Sequence, residues 1–426
     1  MTDTTRRACD RIAHVCAAAL LVAALVHGLA LTRGKTWPDG PDTFRDIGAA
    51  QTIRETIGAS LRWGTPLPDL YDKNEVFWYS PLMPAALAAG AALSHMPIHV
   101  AAVRFPVFWN LAGPMAFYAM TAAFFDPVVA LVALALFLFV EPFPAREAGT
   151  YAPALVASSF AQAFLYLGLL AWWYFRNGPS AKRASLAGVV LGVSFLAHTA
   201  VTAILAAVFV VETLAWLFAV RRSPDLARVA GLCALAAGVG VLAASPALVP
   251  LAHYHMQIRE LEPFVYLDPS MGPAHVMDVL LLNYHADRLF IILAGAGLAV
   301  LVMRRPSTPR RLVLAWSCVA VFLFVWAAWF VRLNEQFAAM AIAPAHHFLI
   351  YTRAAESVLA GLAIVALIRV VTRHERPVLE FSAAVLVAAV LVGVNWPRYL
   401  ERDTHMGQPE FSPNQQAAVQ WMLDKS

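Results

Sequence analysis

Apolar stretches recur along the whole chain, and their length leaves few folds open. A bilayer-crossing helix needs about 20 predominantly apolar residues. Such stretches lie near 11–32, 100–125, 127–142, 152–175, 184–198, 200–220, 229–250, 288–303, 312–331, 348–369 and 378–396. Of the 426 residues, 60% are hydrophobic and 14% charged, where a soluble domain carries about 25% charged residues. The chain is therefore read as an all-α polytopic membrane protein with about eleven transmembrane helices.

Placing the basic residues settles the expected orientation. Arg6, Arg7 and Arg11 precede the first span, and Arg176/Lys182/Arg183, Arg221/Arg222/Arg228, Arg304/Arg305/Arg310/Arg311 and Arg369/Arg373/Arg376 fall between later ones. Short basic clusters between spans mark cytoplasmic loops; they do not form the continuous stripe that binds nucleic acid, so no nucleic-acid partner is expected. All five clusters share one side only if the apolar segment 81–97 does not cross. It is short, opens with Pro81 and Pro84 and closes at His95 and Pro97, so it is read as an interfacial or re-entrant helix. The first span lacks a small-residue cleavage site and is read as retained. Cys9, in the N-terminal tail, and Cys16, Cys233 and Cys318, in apolar spans, suggest neither disulfides nor a metal cluster.

This topology sends polar chemistry outward. The external face receives the long loop 33–99, the loop 142–151, the turn near His198, the loops 251–287 and 332–347, and the tail 397–426. Residues 1–396 are thus expected to form one transmembrane domain. In the tail, Ser412 opens a short amphipathic stretch through Met422, which could lie on the membrane or begin a further soluble domain.

The first loop carries Asp39, Asp42, Asp46, Glu55, Asp69, Asp72 and Glu75 among Trp63, Tyr71, Trp78 and Tyr79. Asp42 and Asp46, four apart, share a helical face. Structurally one is a helix cap and the other a solvated acid; chemically the pair supplies a general base with a tuning carboxylate. Trp78 and Tyr79 either anchor the loop at headgroup level or stack on a sugar or a polyprenyl chain. Glu141, Arg146 and Glu147 lie at a helix mouth, where ionisable groups are commonly functional. His198 sits at the turn between two spans, where a hydrogen-bonded interfacial role competes with a ligand role. His253 and His255 lack a third metal ligand at recognisable spacing. His346 and His347 precede a span that contains Arg353, an intramembrane cation for which Glu356 is the structural partner and a lipid phosphate the functional one. Arg104 poses the same question. No phosphate-binding glycine loop, Ser-His-Asp order or HExxH motif occurs, nor the charge ladder of a voltage sensor.

Asp42 at the loop start, Gly64 with Pro66 and Pro68, and Tyr79-Ser-Pro-Leu82 before the interfacial helix resemble the GT-C superfamily of membrane glycosyltransferases. Leu191-Gly-Val-Ser-Phe-Leu-Ala-His198-Thr resembles the family's GLAFLTHP stretch, with Thr199-Ala in place of its proline. Phe348-Leu-Ile-Tyr-Thr-Arg353 resembles its late RFLxYxR helix, with His347 where an arginine is common. The resemblance implies an enzyme that moves a sugar from a polyprenyl-phosphate donor to a membrane lipid or glycan acceptor. The implied site faces the periplasm of a bacterial inner membrane, and the implied mechanism is inverting. It gives the role of general base to Asp42, with Asp46 as alternative, and of phosphate-holding cation to Arg146, Arg259, Arg332 or Arg353. Trp78, Tyr79, His198, His346 and His347 are candidate substrate contacts. Some members hold a divalent cation (Mg or Mn) with carboxylates of the first two loops, a part Glu147 could take; with no DxD triplet, no metal is predicted. The competing readings are a lipid-linked glycan flippase, an accessory membrane subunit, or an O-antigen polymerase or ligase. A flippase requires polar spans on both sides, and an O-antigen enzyme a large late external loop.

Overall fold

The computed structural model describes residues 3–38, 42–63, 81–140, 150–258, 288–305, 307–327, 346–372 and 377–406, together with single helical positions at 417 and 421. The described residues fold as fifteen α-helices: α1 (Asp3–Thr32), α2 (Asp42–Trp63), α3 (Leu82–Ser94), α4 (Ile98–Arg104), α5 (Pro106–Trp109), α6 (Ala112–Phe124), α7 (Pro127–Phe139), α8 (Ala157–Asn177), α9 (Ala181–Ala197), α10 (Thr199–Val220), α11 (Leu226–Ile258), α12 (Arg288–Met303), α13 (Thr308–Val325), α14 (His346–Val371) and α15 (Pro377–Met406).

The core forms around α7. Its VVALVALALFLF run carries no polar side chain, and every residue from Val128 to Phe139 is buried. A helix apolar on all sides can satisfy its surface only inside protein or lipid, and here α1, α6, α14 and α15 surround it. Its 13 residues span about 20 Å, short of the ~30 Å hydrocarbon core, and that protein sheath makes the short length tolerable. Asp126 caps α7, accepting from the Val129 N–H at 2.8 Å. Around this centre, α8 packs on α6 and α9, α9 on α11, and α12 on α14.

Among the described residues each expected span coincides with helix, with informative shifts at the ends. Six described helices are long and apolar enough to cross a bilayer, or seven when α3 and the α4–α6 unit are taken as one broken span. That pair is bent by 106°, so the 81–97 segment does not continue into the next span. The expected helix over 100–125 is instead interrupted near Phe105 and Asn110, because Pro106 can open a helix but not continue one. The expected span 152–175 begins only at Ala157, since Thr150, Ala152 and Ala154 give their carbonyls to side chains. The loop expected from 251 is helical to Ile258, which places His253 and His255 on α11. In apolar surroundings the backbone has no better partner than itself, and a helix of 33 residues runs about 50 Å, well past the bilayer. Helix α15 likewise continues through Pro397 to Met406, beyond the expected boundary at 396. Cys9, expected in a tail, is buried on α1.

Contacts between helix ends sort into two faces. At one, Arg369 bridges Asp126 and Glu380, each at 2.7 Å. There too Arg311 meets Glu212 at 3.3 Å, and Arg176 lies 4.0 Å over Trp216. At the other, Arg104 meets the end of α1, Arg353 the end of α7, and His198 the start of α14. Alternating the helices between two faces reproduces every one of these pairings.

Candidate functional site

The expected external loop builds a small helical layer with a core of its own. Ile47 and Ala50 of α2 pack with Met83, Leu87, Ala101 and Leu155. Asp46 precedes Ile47 and is only 3% exposed. Its carboxylate lies 3.8 Å from the Arg45 guanidinium, so Asp46 is a buried, charge-compensated acid and not a solvated one. Asp42 opens α2 on the same face, but its side chain, like that of His346 at the start of α14, lies outside the described ones. Because Leu155 belongs to the same cluster, the layer bearing Asp46 sits directly on the segment that follows the second expected external loop.

Both ends of that second loop are anchored. On its entry side, Arg353 Nη2 donates to the Val140 carbonyl at 2.6 Å. On its exit side, Asn110 Nδ2 donates to the carbonyls of Ala152 and Ala154, both at 2.8 Å. Gln162 donates to the Thr150 carbonyl at 3.0 Å and Tyr151 to that of Val107 at 3.1 Å. The Thr150 hydroxyl donates back to the Phe137 carbonyl. These buried groups satisfy a non-helical stretch that water does not reach. Sequence reasoning missed Asn110 and Gln162, which are lone polar residues in apolar spans. Such residues are rare in membranes, and that rarity was the available signal.

Arg353 is 6% exposed and has three described partners: the Val140 carbonyl, Glu356 at 3.3 Å and the Phe290 ring at 3.7 Å. The structural role foreseen for Glu356 is present, and the cation also clamps the mouth of the second loop. Arg104 donates to the Thr32 carbonyl at 3.3 Å, which offsets the carbonyls left open at the end of α1. Trp37, just past the end of α1, stacks on His99 of α4 with ring centroids 4.5 Å apart. His198 is buried and caps α10, its Nδ1 accepting from the Ala200 N–H at 3.1 Å. The imidazoles of His198 and His347 meet edge to face at 4.8 Å. Two histidines from distant motifs thus form one pair.

Of the expected residues, the structure brings His198 and His347 together and sets Arg353 one to two turns along α14 from that pair. Arg146, Glu147, Trp78, Tyr79, Arg259 and Arg332 lie outside the described residues. Among the described residues no group of three His, Cys, Asp or Glu side chains could hold a metal ion.

No family model and no curated protein matches this sequence. Solved structures do. The oligosaccharyltransferase of Archaeoglobus fulgidus, crystallised with Zn and sulfate, superposes with a TM-score of 0.57 at 14% identity, over 95% of this chain and 55% of that one. ArnT from Cupriavidus metallidurans in its apo state superposes with a TM-score of 0.58 at 14% identity, over 92% of this chain and 77% of that one. The fold is that of the GT-C membrane glycosyltransferases. This chain spans little more than half the length of the archaeal enzyme. That enzyme, AglB, has also been solved with an inhibitory peptide and a dolichol-phosphate, and ArnT with undecaprenyl phosphate.

Proposed function

We propose that this protein is an integral membrane glycosyltransferase of the GT-C type, with residues 1–396 as its transmembrane domain and about eleven spans. It transfers a sugar from a polyprenyl-phosphate donor to a membrane lipid or glycan acceptor. The observation that carries the reading is a convergence at one end of a GT-C bundle. The α2 layer with Asp46, the anchored segment 150–154, Arg353 and the His198–His347 pair all gather there. The opposite end collects Arg176, Arg311 and Arg369, as a cytoplasmic face does. On this reading the site faces the periplasm of a bacterial inner membrane.

In this mechanism the acceptor hydroxyl attacks the anomeric carbon from the face opposite the phosphate. Its proton passes to a first-loop carboxylate, the bond from the anomeric carbon to the phosphate oxygen breaks, and the lipid phosphate leaves with the electron pair. The configuration inverts in one displacement. Asp42 acts as base. Asp46, buried beside Arg45, acts by position: the neighbouring guanidinium compensates its charge inside the α2 layer. Basic groups at the external end, with Arg146, Arg259 and Arg353 as candidates, offset the charge that grows on the phosphate. Trp78 and Tyr79 offer ring faces to sugar or lipid. A divalent cation such as Mg or Mn would draw on loop carboxylates including Glu147, and no step above depends on one.

The test is donor consumption by purified protein in nanodiscs. A panel of polyprenyl-phosphate sugars is offered and free polyprenyl phosphate is quantified. Wild type is expected to consume one donor, and Asp42→Asn to reduce the rate at least a hundredfold, within the range that general-base catalysis contributes. Full activity of Asp42→Asn would move the base to Asp46 or Glu147. No turnover of any donor, with crude lipid acceptors supplied, would favour the flippase or accessory-subunit reading.

A further inference from the structure

A lateral groove opens on the molecule away from the external site. Helix α9 and helix α11 touch closely because Gly188 and Gly192 leave room: a Cβ on either would collide with the Ala236 or Gly240 carbonyl of α11. Helix α10 instead leans on α8 and α13 and meets α11 only sparingly. The two diverging helices enclose a cavity of about 620 Å³, apolar almost throughout, which is within the size range of ligand pockets. It follows α10 from Thr202 to Leu217, a rise of about 22 Å. Its side is open, because the lining residues Val210, Leu214 and Val241 are 57%, 61% and 59% exposed.

One end of the groove is charged. Trp172 and Cys233 line the cavity there. Arg176 follows Trp172 by one turn on the same face of α8. The Arg176 guanidinium sits over Trp216, and its Nε is buried with no hydrogen-bond partner among the described residues. The nearby acid, Glu212, is 2% exposed and gives its Oε1 to Arg311 at 3.3 Å. Two guanidinium groups thus share one carboxylate, whose Oε2 is buried with no hydrogen-bond partner among the described residues, so this end carries a net positive charge close to the bilayer. Farther out, Arg183 and Arg228 form a basic rim, donating to the Tyr174 and Pro179 carbonyls.

We propose that this groove holds one chain of an anionic phospholipid from the leaflet at the basic end, with its phosphate bound by Arg176. Charge complementarity selects this occupant: an apolar slot with Arg176 one turn beyond its lining residue Trp172, and Arg183 and Arg228 farther out, accepts a hydrocarbon chain that ends in a phosphate. The site lies at the end opposite the proposed donor site and does not depend on the glycosyltransferase reading.

The experiment is native mass spectrometry of the full chain released from detergent, titrated separately with phosphatidylglycerol, phosphatidylcholine and a polyprenyl phosphate. One phosphatidylglycerol is expected to survive collisional activation that strips phosphatidylcholine. Arg176→Gln should cut its retention at least fivefold, and so should Ala206→Phe, which fills the groove and leaves every charge in place. Arg176→Lys should retain part of it, and Arg221→Gln, on the exposed face, all of it. Equal retention of phosphatidylcholine, or indifference to both Arg176→Gln and Ala206→Phe, would overturn the proposal. One-for-one displacement of phosphatidylglycerol by the polyprenyl phosphate, lost in the same two variants, would also overturn it and give the groove to the donor. If Arg176→Gln melts early without lipid, Ala206→Phe decides alone.

Discussion

Arg353 shows how one side chain can serve both fold and site. Its charge is compensated by Glu356, its second Nη by the Val140 carbonyl, and its face by Phe290. Removing one partner of a buried pair strands the other, at a cost of about 3–5 kcal/mol. Arg353→Ala should therefore lower the melting temperature in detergent more than the double change Arg353→Met with Glu356→Met, which leaves no orphaned charge. A double variant as unstable as the single would show that the Val140 contact dominates. His198 separates the two roles differently. His198→Ala removes the cap of α10 and should cost about 1 kcal/mol, while His198→Asn keeps an acceptor at the cap. If the ring that meets His347 serves substrate, His198→Asn should melt like wild type and still lose donor turnover. Equal turnover would confine His198 to capping.

At the scale of elements, the segment 150–156 explains why the bundle has an ordered mouth. Asn110 alone satisfies two of its carbonyls. Leaving buried acceptors unpaired costs about 1–3 kcal/mol, so Asn110→Ala should lower the melting temperature and raise amide exchange across 150–156 ahead of the remaining core. Uniform exchange across the bundle would mean that Gln162 and Tyr151 hold the segment without it. Helix α9 depends on contact of another kind. Gly192→Leu drives a side chain into the α11 backbone, and overpacking costs about 1–3 kcal/mol; a thermal melt in detergent should show it clearly.

The whole molecule is a two-faced bundle, and its orientation is directly measurable. In a chain whose four cysteines are replaced by serine, Met96→Cys lies at the end of α3 and Pro224→Cys between α10 and α11. In intact spheroplasts a membrane-impermeant maleimide should label Met96→Cys alone, and Pro224→Cys only after the membrane is opened. Labelling of both before opening would refute the alternating topology.

Hydropathy alone was enough to locate every described span, because a segment without polar side chains in a bilayer has helix as its only way to satisfy its backbone. Arg369 and Arg311, each from a basic cluster between spans, meet acids at the ends of other helices. Helix ends escaped that reading. Whether 150–156 coils or 251–258 stays helical is decided by partners such as Asn110 and Gln162, which belong to other helices. The burial of Asp46 was equally hidden, since the spacing in DTFRD is the same whether an acid is solvated or buried beside Arg45. The meeting of His198 with His347, the clamp on Val140 and the groove beside Arg176 join residues far apart in the chain. No local pattern encodes such meetings, and only the packing of whole helices brings those side chains within bonding distance.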